Sequence, residues 1–232
     1  MMKCTAIVLA AGKGSRMNSS VQKQYMELNG FPLVYYALRA FEHSCVDEII
    51  LVAGQDETGY CRREIVEKYQ FQKVCKIIPG GRERYLSVYE GLRAADCDIV
   101  LIHDGARPFV TQEIINRTIE AAVQYGSGIA AVPAKDTVRL ADDELTAVET
   151  PQRDRVWMMQ TPQTFQYSLI RSAYEKVLEQ QIQNITDDAM VLELGIHKAV
   201  KIVQGSYRNI KVTTPEDMDS AEAFAGRLEP YS

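Results

Sequence analysis

The sequence predicts an α/β fold: a mostly parallel, twisted sheet with helices on both faces. Two observations carry this. Short runs such as Ala6-Ile7-Val8-Leu9, Ile49-Ile50-Leu51-Val52 and Ile99-Val100-Leu101-Ile102 are apolar throughout rather than alternating. That pattern belongs to strands buried on both sides. Between these runs lie segments with apolar residues three and four apart, the spacing of amphipathic helices. Strand-helix alternation implies parallel strands joined by crossover helices.

The elements follow in order. Ala6–Leu9 is the first strand. Pro32 opens a helix with Leu33, Ala37, Leu38 and Phe41 on one face. Glu48–Ala53 is the second strand, Tyr60–Tyr69 lies in a helix of about 58–70, and Lys76–Ile78 is a short third strand ending at Pro79-Gly80-Gly81. Arg84–Ala95 is a helix, Asp98–His103 a strand, and Thr111 caps a helix carrying Ile114, Ile115, Ile119 and Ala122. Gly128–Pro133 is the next strand.

There the rhythm breaks. Thr137–Leu140 and Leu145–Val148 flank Asp142-Asp143 as a hairpin. The segment 135–156 is too polar for sheet core and reads as a projecting β-arm. Trp157–Gln160 returns to the sheet and Thr161-Pro162-Gln163 leaves it. Residues 166–180 form a helix, Thr186 caps a short one ending near Gly195, and Lys201–Val203 and Asn209–Val212 are late strands. Thr214-Pro215-Glu216-Asp217 starts the last helix, with cap, proline and acids in place. The whole is a Rossmann-like sheet in one domain, 1–232, with 135–156 as its appendage.

Composition bounds the function. The 232 residues carry a net charge of −5, which argues against a general nucleic-acid binder. No apolar run approaches the ~20 residues that span a membrane, and the start of the chain lacks a signal-peptide pattern. Five scattered cysteines without a Cys-x-x-Cys suit free thiols in a reducing cytoplasm.

Against this acidic background, residues 1–30 hold Lys3, Lys13, Arg16 and Lys23 with Glu27 as the one acid. Leu9-Ala10-Ala11-Gly12-Lys13-Gly14-Ser15-Arg16-Met17 follows the first strand. Residues this small let backbone N–H groups approach a phosphate. It is neither of the two familiar phosphate loops: Met17 stands where a dinucleotide fingerprint has its third glycine, and Ile7 where a Walker loop has its first. In an open parallel sheet, function gathers beyond the carboxyl ends of strands. Asp104 ends a fully apolar strand and suits magnesium, which takes few carboxylates and completes its shell from phosphate and water. Arg107, three residues on, suits a bidentate phosphate grip. Gly80-Gly81 with Ser87 lets a flat base lie on backbone, and Lys211 sits between Ile210 and Val212, at an edge or facing a cleft.

Together these motifs resemble a known family. Leu9–Met17 with Lys23, Gly80-Gly81-x-x-Arg84-x-x-Ser87-Val88, Ile102–Phe109, Asp136-Thr137, Gln160–Gln163, Thr186–Ala189 and Asn209–Asp217 occur in the order found in the methylerythritol phosphate cytidylyltransferases, a branch of the sugar-phosphate nucleotidyltransferases. The resemblance implies CTP and Mg²⁺ as ligands, with the triphosphate along Ala10, Ala11, Gly12, Lys13, Gly14 and Ser15. It implies Arg16 and Lys23 on the α-phosphate, cytosine beside Ala11, Gly81 and Ser87, and magnesium on Asp104. Arg107, Thr161, Thr186 and Lys211 would contact the polyol phosphate or the transferring phosphate. Thr137 and Arg153 (or Arg155, two residues on) would reach the site of a neighbouring subunit in an arm-exchanged homodimer. A ribitol 5-phosphate cytidylyltransferase shares most of these motifs; Ala106 before Arg107 and the Arg-x-x-x-Trp approach to Trp157 lean toward methylerythritol phosphate.

Overall fold

The computed structural model describes residues 2–12 and 22–226. Strands and helices follow in this order: β1 Cys4–Ala10, β2 Glu27–Leu28, β3 Phe31–Pro32, α1 Leu33–Glu42, β4 Glu48–Ala53, α2 Thr58–Tyr60, β5 Val74–Pro79, α3 Arg84–Ala94, β6 Ile99–Asp104, α4 Gln112–Tyr125, β7 Ser127–Pro133, β8 Leu140–Ala141, β9 Ala147–Glu149, β10 Trp157–Gln166, α5 Tyr167–Glu179, α6 Asp188–Ile196, β11 Ile202–Gln204 and α7 Pro215–Ala225.

Among the described residues seven strands form the central sheet in the order β11-β7-β10-β6-β1-β4-β5. All run the same way except β10, which is antiparallel to both β6 and β7. The chain leaves β1 toward β4 and β5 on one side, while β6 pairs with β1 on the other. The crevice between the ends of β1 and β6 is therefore the topological switch point, where ligands of such sheets bind.

The period-two rule explains the two cores. On β1, Cys4, Ala6, Val8 and Ala10 face one layer with α1, α4 and the segment after α2. Ile7 faces the other, with Val88 and Leu92 of α3, Ile170 and Tyr174 of α5 and Leu192 of α6. A third, smaller cluster of Leu28, Leu33, Tyr36, Phe109, Val212 and Ala221 seats α7. It also fixes the stretch that carries Lys211. Among the described residues no helix is long and apolar enough to cross a membrane.

Several expected elements differ. Thr161-Pro162-Gln163 does not leave the sheet: β10 continues to Gln166, bulging between Met159 and Gln163 at a cis Thr161–Pro162 bond. Proline lacks the N–H that a regular central strand requires, and a bulge accommodates it. Asn209–Val212 is not a strand; Val212 N–H donates a single bond to the Ala106 carbonyl at 2.9 Å. The cap of α6 is Asp187, which accepts from Met190 N at 2.9 Å, and not Thr186. Either residue type serves as a cap, and the shorter reach to the free N–H groups decides. Thr111 holds the cap position of α4 without a side-chain capping bond to a helix N–H. After α2 the chain winds as a π-helix, Cys61–Glu67, inside the helix expected at 58–70. The 135–156 segment is exposed almost throughout, and β8 and β9 form a small sheet of their own. Thr214 and Asp217 form a reciprocal capping box on α7, as the sequence indicates.

Candidate active site

The ends of β1, β4, β5 and β6 open into one cleft of about 930 Å³. Ala11, Gly12, Lys23, Gly80, Gly81, Arg84, Ser87, Asp104 and Lys211 face it. Close packing shapes the cleft wall and the strand end beside it: a Cβ on Gly80 would lie 2.6 Å from the Ala11 side chain, and one on Gly105 would lie 2.9 Å from the Leu9 carbonyl. Neither position tolerates a side chain without movement. The Ser87 hydroxyl accepts from Gly81 N–H at 3.1 Å and reaches the Glu83 carbonyl at 3.1 Å, tying the glycine turn to α3.

Asp104 is the electrostatic centre. Its Oδ1 accepts from Arg84 Nε at 3.0 Å and its Oδ2 from Lys211 Nζ at 2.7 Å, with Arg107 Nε 4.0 Å away. Burial alone would raise this carboxyl, but Arg84, Lys211 and Arg107 outweigh it and hold it well below the usual carboxylate range. Asp104 thus organises three cations, and with Asp188 also paired to Arg84 the cluster keeps one positive charge in excess. That surplus suits a polyanionic ligand.

A single line of hydrogen bonds sets the floor. Asp104 N–H donates to Thr161 Oγ1 at 3.1 Å, and Thr161 Oγ1 lies 3.0 Å from His103 Nδ1. His103 Nε2 lies 3.1 Å from the Arg107 carbonyl. A carbonyl only accepts, so Nε2 carries the proton, Nδ1 accepts, and the Thr161 hydroxyl donates to it. Arg107 Nη1 in turn donates to the Asn209 carbonyl at 2.7 Å, two residues before Lys211.

Gln24 Nε2 donates to the Ala10 carbonyl at 2.6 Å, and Glu57 accepts from Gln22, from Tyr25 Oη at 3.0 Å and from Gly54 N–H at 3.2 Å. These bonds tie both sides of Lys23 to the ends of β1 and β4. Lys23 runs past Gly12, its Cε 3.9 Å from where a Cβ there would sit.

Of the sequence-predicted residues, Ala11, Gly12, Lys23, Gly81, Ser87, Asp104 and Lys211 meet at the cleft. Ala10 is buried beneath it, and Thr161 faces inward to His103 and Asp104. Arg107 is spent largely on backbone carbonyls at the base. Thr186 is exposed at the entry to α6, and Thr137 and Arg153 lie on the exposed arm; none of these three lines the cleft of its own chain. Lys13, Gly14, Ser15 and Arg16 lie outside the described residues. Sequence reasoning assigned no role to Arg84, Gln24, Glu57 or Asp188. Arg84 stood in the Gly80-Gly81-x-x-Arg84 string, and the paired Asp187-Asp188 was visible, but their meeting in space was not.

Residues 4–227 match the family model described as IspD, 2-C-methyl-D-erythritol 4-phosphate cytidylyltransferase. A protein of that name from Alkaliphilus oremlandii is 50% identical over 223 residues, covering 95% of this chain and 94% of its own. One from Lachnoclostridium phytofermentans is 49% identical, covering 97% of each. The crystal structure of 4-diphosphocytidyl-2C-methyl-D-erythritol synthase from Anaerococcus prevotii superimposes with a TM-score of 0.85 at 37% identity, covering 97% of this chain and 99% of its own.

The sealed floor has a pH signature. Burial pushes the His103 imidazole down from 6.5 to about 4. The unfolded chain then takes up this proton first as pH falls. Stability from the neutral ring is whole above pH 6.5 and is lost on the way to about 4, by roughly 3 kcal/mol at most. In an NMR titration the His103 ring should remain neutral through pH 5.5, about one unit below the ordinary value. A midpoint near the ordinary histidine value would show that water reaches the ring and that the Thr161–His103 line is open.

Proposed function

The chain belongs to the IspD family of 2-C-methyl-D-erythritol 4-phosphate cytidylyltransferases, and we propose how its cleft carries out that family's reaction. The enzyme transfers a cytidylyl group from CTP to 2-C-methyl-D-erythritol 4-phosphate in isoprenoid precursor biosynthesis. The observation that carries the reading of the site is the Asp104 carboxylate, ringed by Arg84, Lys211 and Arg107, at the switch point and facing a glycine-walled cleft.

A phosphate oxygen of the acceptor attacks the α-phosphorus of CTP, the bond to the β-phosphate oxygen breaks, and pyrophosphate leaves. The nucleophile is already an anion, so no general base is needed; alignment and charge stabilisation suffice. In this reading Arg16 and Lys23 stabilise the α-phosphate, and the 10–15 loop cradles the triphosphate. Ala11, Gly81 and Ser87 bound the cytosine. Lys211, which faces the cleft, serves the acceptor phosphate. Thr161 and Arg107 act mainly by fixing Asp104 and the Asn209–Lys211 stretch, given the partners they have.

The donor set fits magnesium. Each Asp104 oxygen keeps a lone pair beyond its bond to a cation, and a magnesium shell is ordinarily completed by phosphate oxygens and water. Bound there, the ion would neutralise phosphate charge. The chain's own part is to keep Asp104 ionised and aimed.

The arm, 135–156, we assign to homodimerisation. It exposes Leu145 at 88% and Val148 at 64%, and its own sheet has two short strands. Such a hairpin is marginal in water without a surface to pack on. A two-fold partner supplies that surface, and exchange of arms would bring Thr137 and Arg153 to the neighbouring site.

Pyrophosphate release should depend on magnesium, CTP and methylerythritol phosphate, with ATP, GTP and ribitol 5-phosphate poor replacements. Lys23→Ala should lower kcat by about a hundredfold. Equal turnover of ribitol 5-phosphate would overturn the acceptor assignment, and a normal kcat in Lys23→Ala would remove that lysine from the chemistry.

Mixed dimers test the arm. Let one subunit carry Arg153→Ala and the other Lys211→Ala, and purify the pair through two different tags. With crossed arms one site collects both lesions and the other is intact, so about half of wild-type activity should return. A mixed dimer as inactive as its parents would place Arg153 in its own chain's site.

A further inference from the structure

Behind the cleft lies a charge for which the proposed mechanism has no use. Asp188, the first residue of α6, is fully buried. Its Oδ2 accepts from Arg84 Nη2 at 2.8 Å and its Oδ1 from Tyr174 Oη at 2.6 Å. The neighbouring nitrogen of the same guanidinium, Nε, holds Asp104 Oδ1 at 3.0 Å. Asp188, Arg84, Asp104 and Lys211 thus form a row of alternating charges that crosses α6, α3, β6 and the stretch before α7.

We propose that Asp188 is a positioning residue, which acts through the rigid fork of Arg84 to aim the Asp104 carboxylate, and with it Lys211, at the reacting phosphates. This rests on the reading of Asp104 and Lys211 given above.

Three observations support it. First, a buried ion pair is a poor device for stability, since apolar residues of the same volume do as well or better. A fully buried carboxylate whose partner reaches into the cleft is better explained by what it holds. Second, the guanidinium is planar and rigid, so the nitrogens that meet the two carboxylates move as one body. Arg84 is held by Asp188 through Nη2 and meets Asp104 through the adjacent Nε. Third, Asp188 is itself fixed to the sheet. Gln163 Oε1 accepts from both Asp188 N and Ala189 N at 2.9 Å, and Gln163 Nε2 donates to Asp187 Oδ2 at 2.9 Å. Gln163 belongs to β10, which pairs directly with β6, the strand ending in Asp104. The two carboxylates are therefore referred to one framework.

The test uses Asp188→Asn, which keeps the shape and removes the charge, and Tyr174→Phe, which removes one hydrogen bond to Asp188. Magnesium-dependent CTP binding is measured by calorimetry beside steady-state kinetics. For Asp188→Asn we expect kcat to fall by about tenfold to a hundredfold, as when the support behind a ligand is lost. CTP affinity and the KM for CTP should stay within about threefold. Tyr174→Phe should lower kcat by about two- to fivefold, in keeping with one lost hydrogen bond. Arg84→Lys keeps a charge but cannot bridge both carboxylates, so it should resemble Asp188→Asn.

Tyr174→Phe decides the matter if Asp188→Asn does not fold. Normal kcat in the folded variants, or a loss of kcat matched by an equal loss of CTP binding, would overturn the proposal. Asp104→Asn separates the two levels. If that variant is fully active, the reading of Asp104 fails. If it is inactive while Asp188→Asn and Tyr174→Phe turn over normally, only the positioning role fails.

Discussion

The structure depends on one carboxylate that is too buried to be charged unless cations surround it. Asp104 closes β6, a strand whose every residue is buried. A charge there is expensive unless it is paired and hydrogen-bonded. Its partners come from three places: Arg84 from the start of α3, Arg107 from the turn just after β6, and Lys211 from the stretch before α7, 107 residues after Asp104. Bringing them together requires the switch in strand order between β1 and β6, the glycine turn at 80–81 and the apolar seat under α7. In the proposed mechanism the same arrangement serves the reaction, because three cations against Asp104 and Asp188 leave one positive charge to meet phosphates.

Rigidity and openness are divided accordingly. The floor, through Thr161, His103 and the Arg107 backbone, is sealed and fully hydrogen-bonded along its line. The rim is built of loops at strand ends, where ligands of this sheet class enter, with glycines at 12, 54, 80 and 81 among charged and amide side chains. A phosphoryl-transfer site with no need of a general base is well served by such a plan. Its work is to hold charges in fixed places, and a close-packed core does that better than a mobile loop.

Much of this was legible in the sequence. The apolar runs located the strands because burial on both faces leaves no room for polar residues. Asp104 stood out as a charge at the end of such a run, and the proline and acids at Thr214–Asp217 specified the capping box. Other features were not legible, for physical reasons. Ile210 and Val212 looked like a strand because they are apolar, yet they pack under α7 as irregular chain. Thr161-Pro162-Gln163 looked like a strand exit because proline cannot serve a regular ladder, and a cis bond with a bulge is invisible to residue type. Thr186 and Asp187 are both good caps, and only geometry chooses between them. Arg84 and Asp188 are 104 residues apart, and no local pattern pairs them.

In the proposed mechanism Asp104 is the anion that keeps three cations together until phosphates arrive. Equilibrium unfolding of Asp104→Asn, with and without pyrophosphate, tests it directly. Without ligand, the variant should be less stable than wild type by about 3 kcal/mol, the cost of leaving buried charges without their partner. Pyrophosphate should then stabilise the variant more than it stabilises wild type, because an anion replaces the one removed. Equal stability of the two proteins, or an equal response to pyrophosphate, would contradict the account.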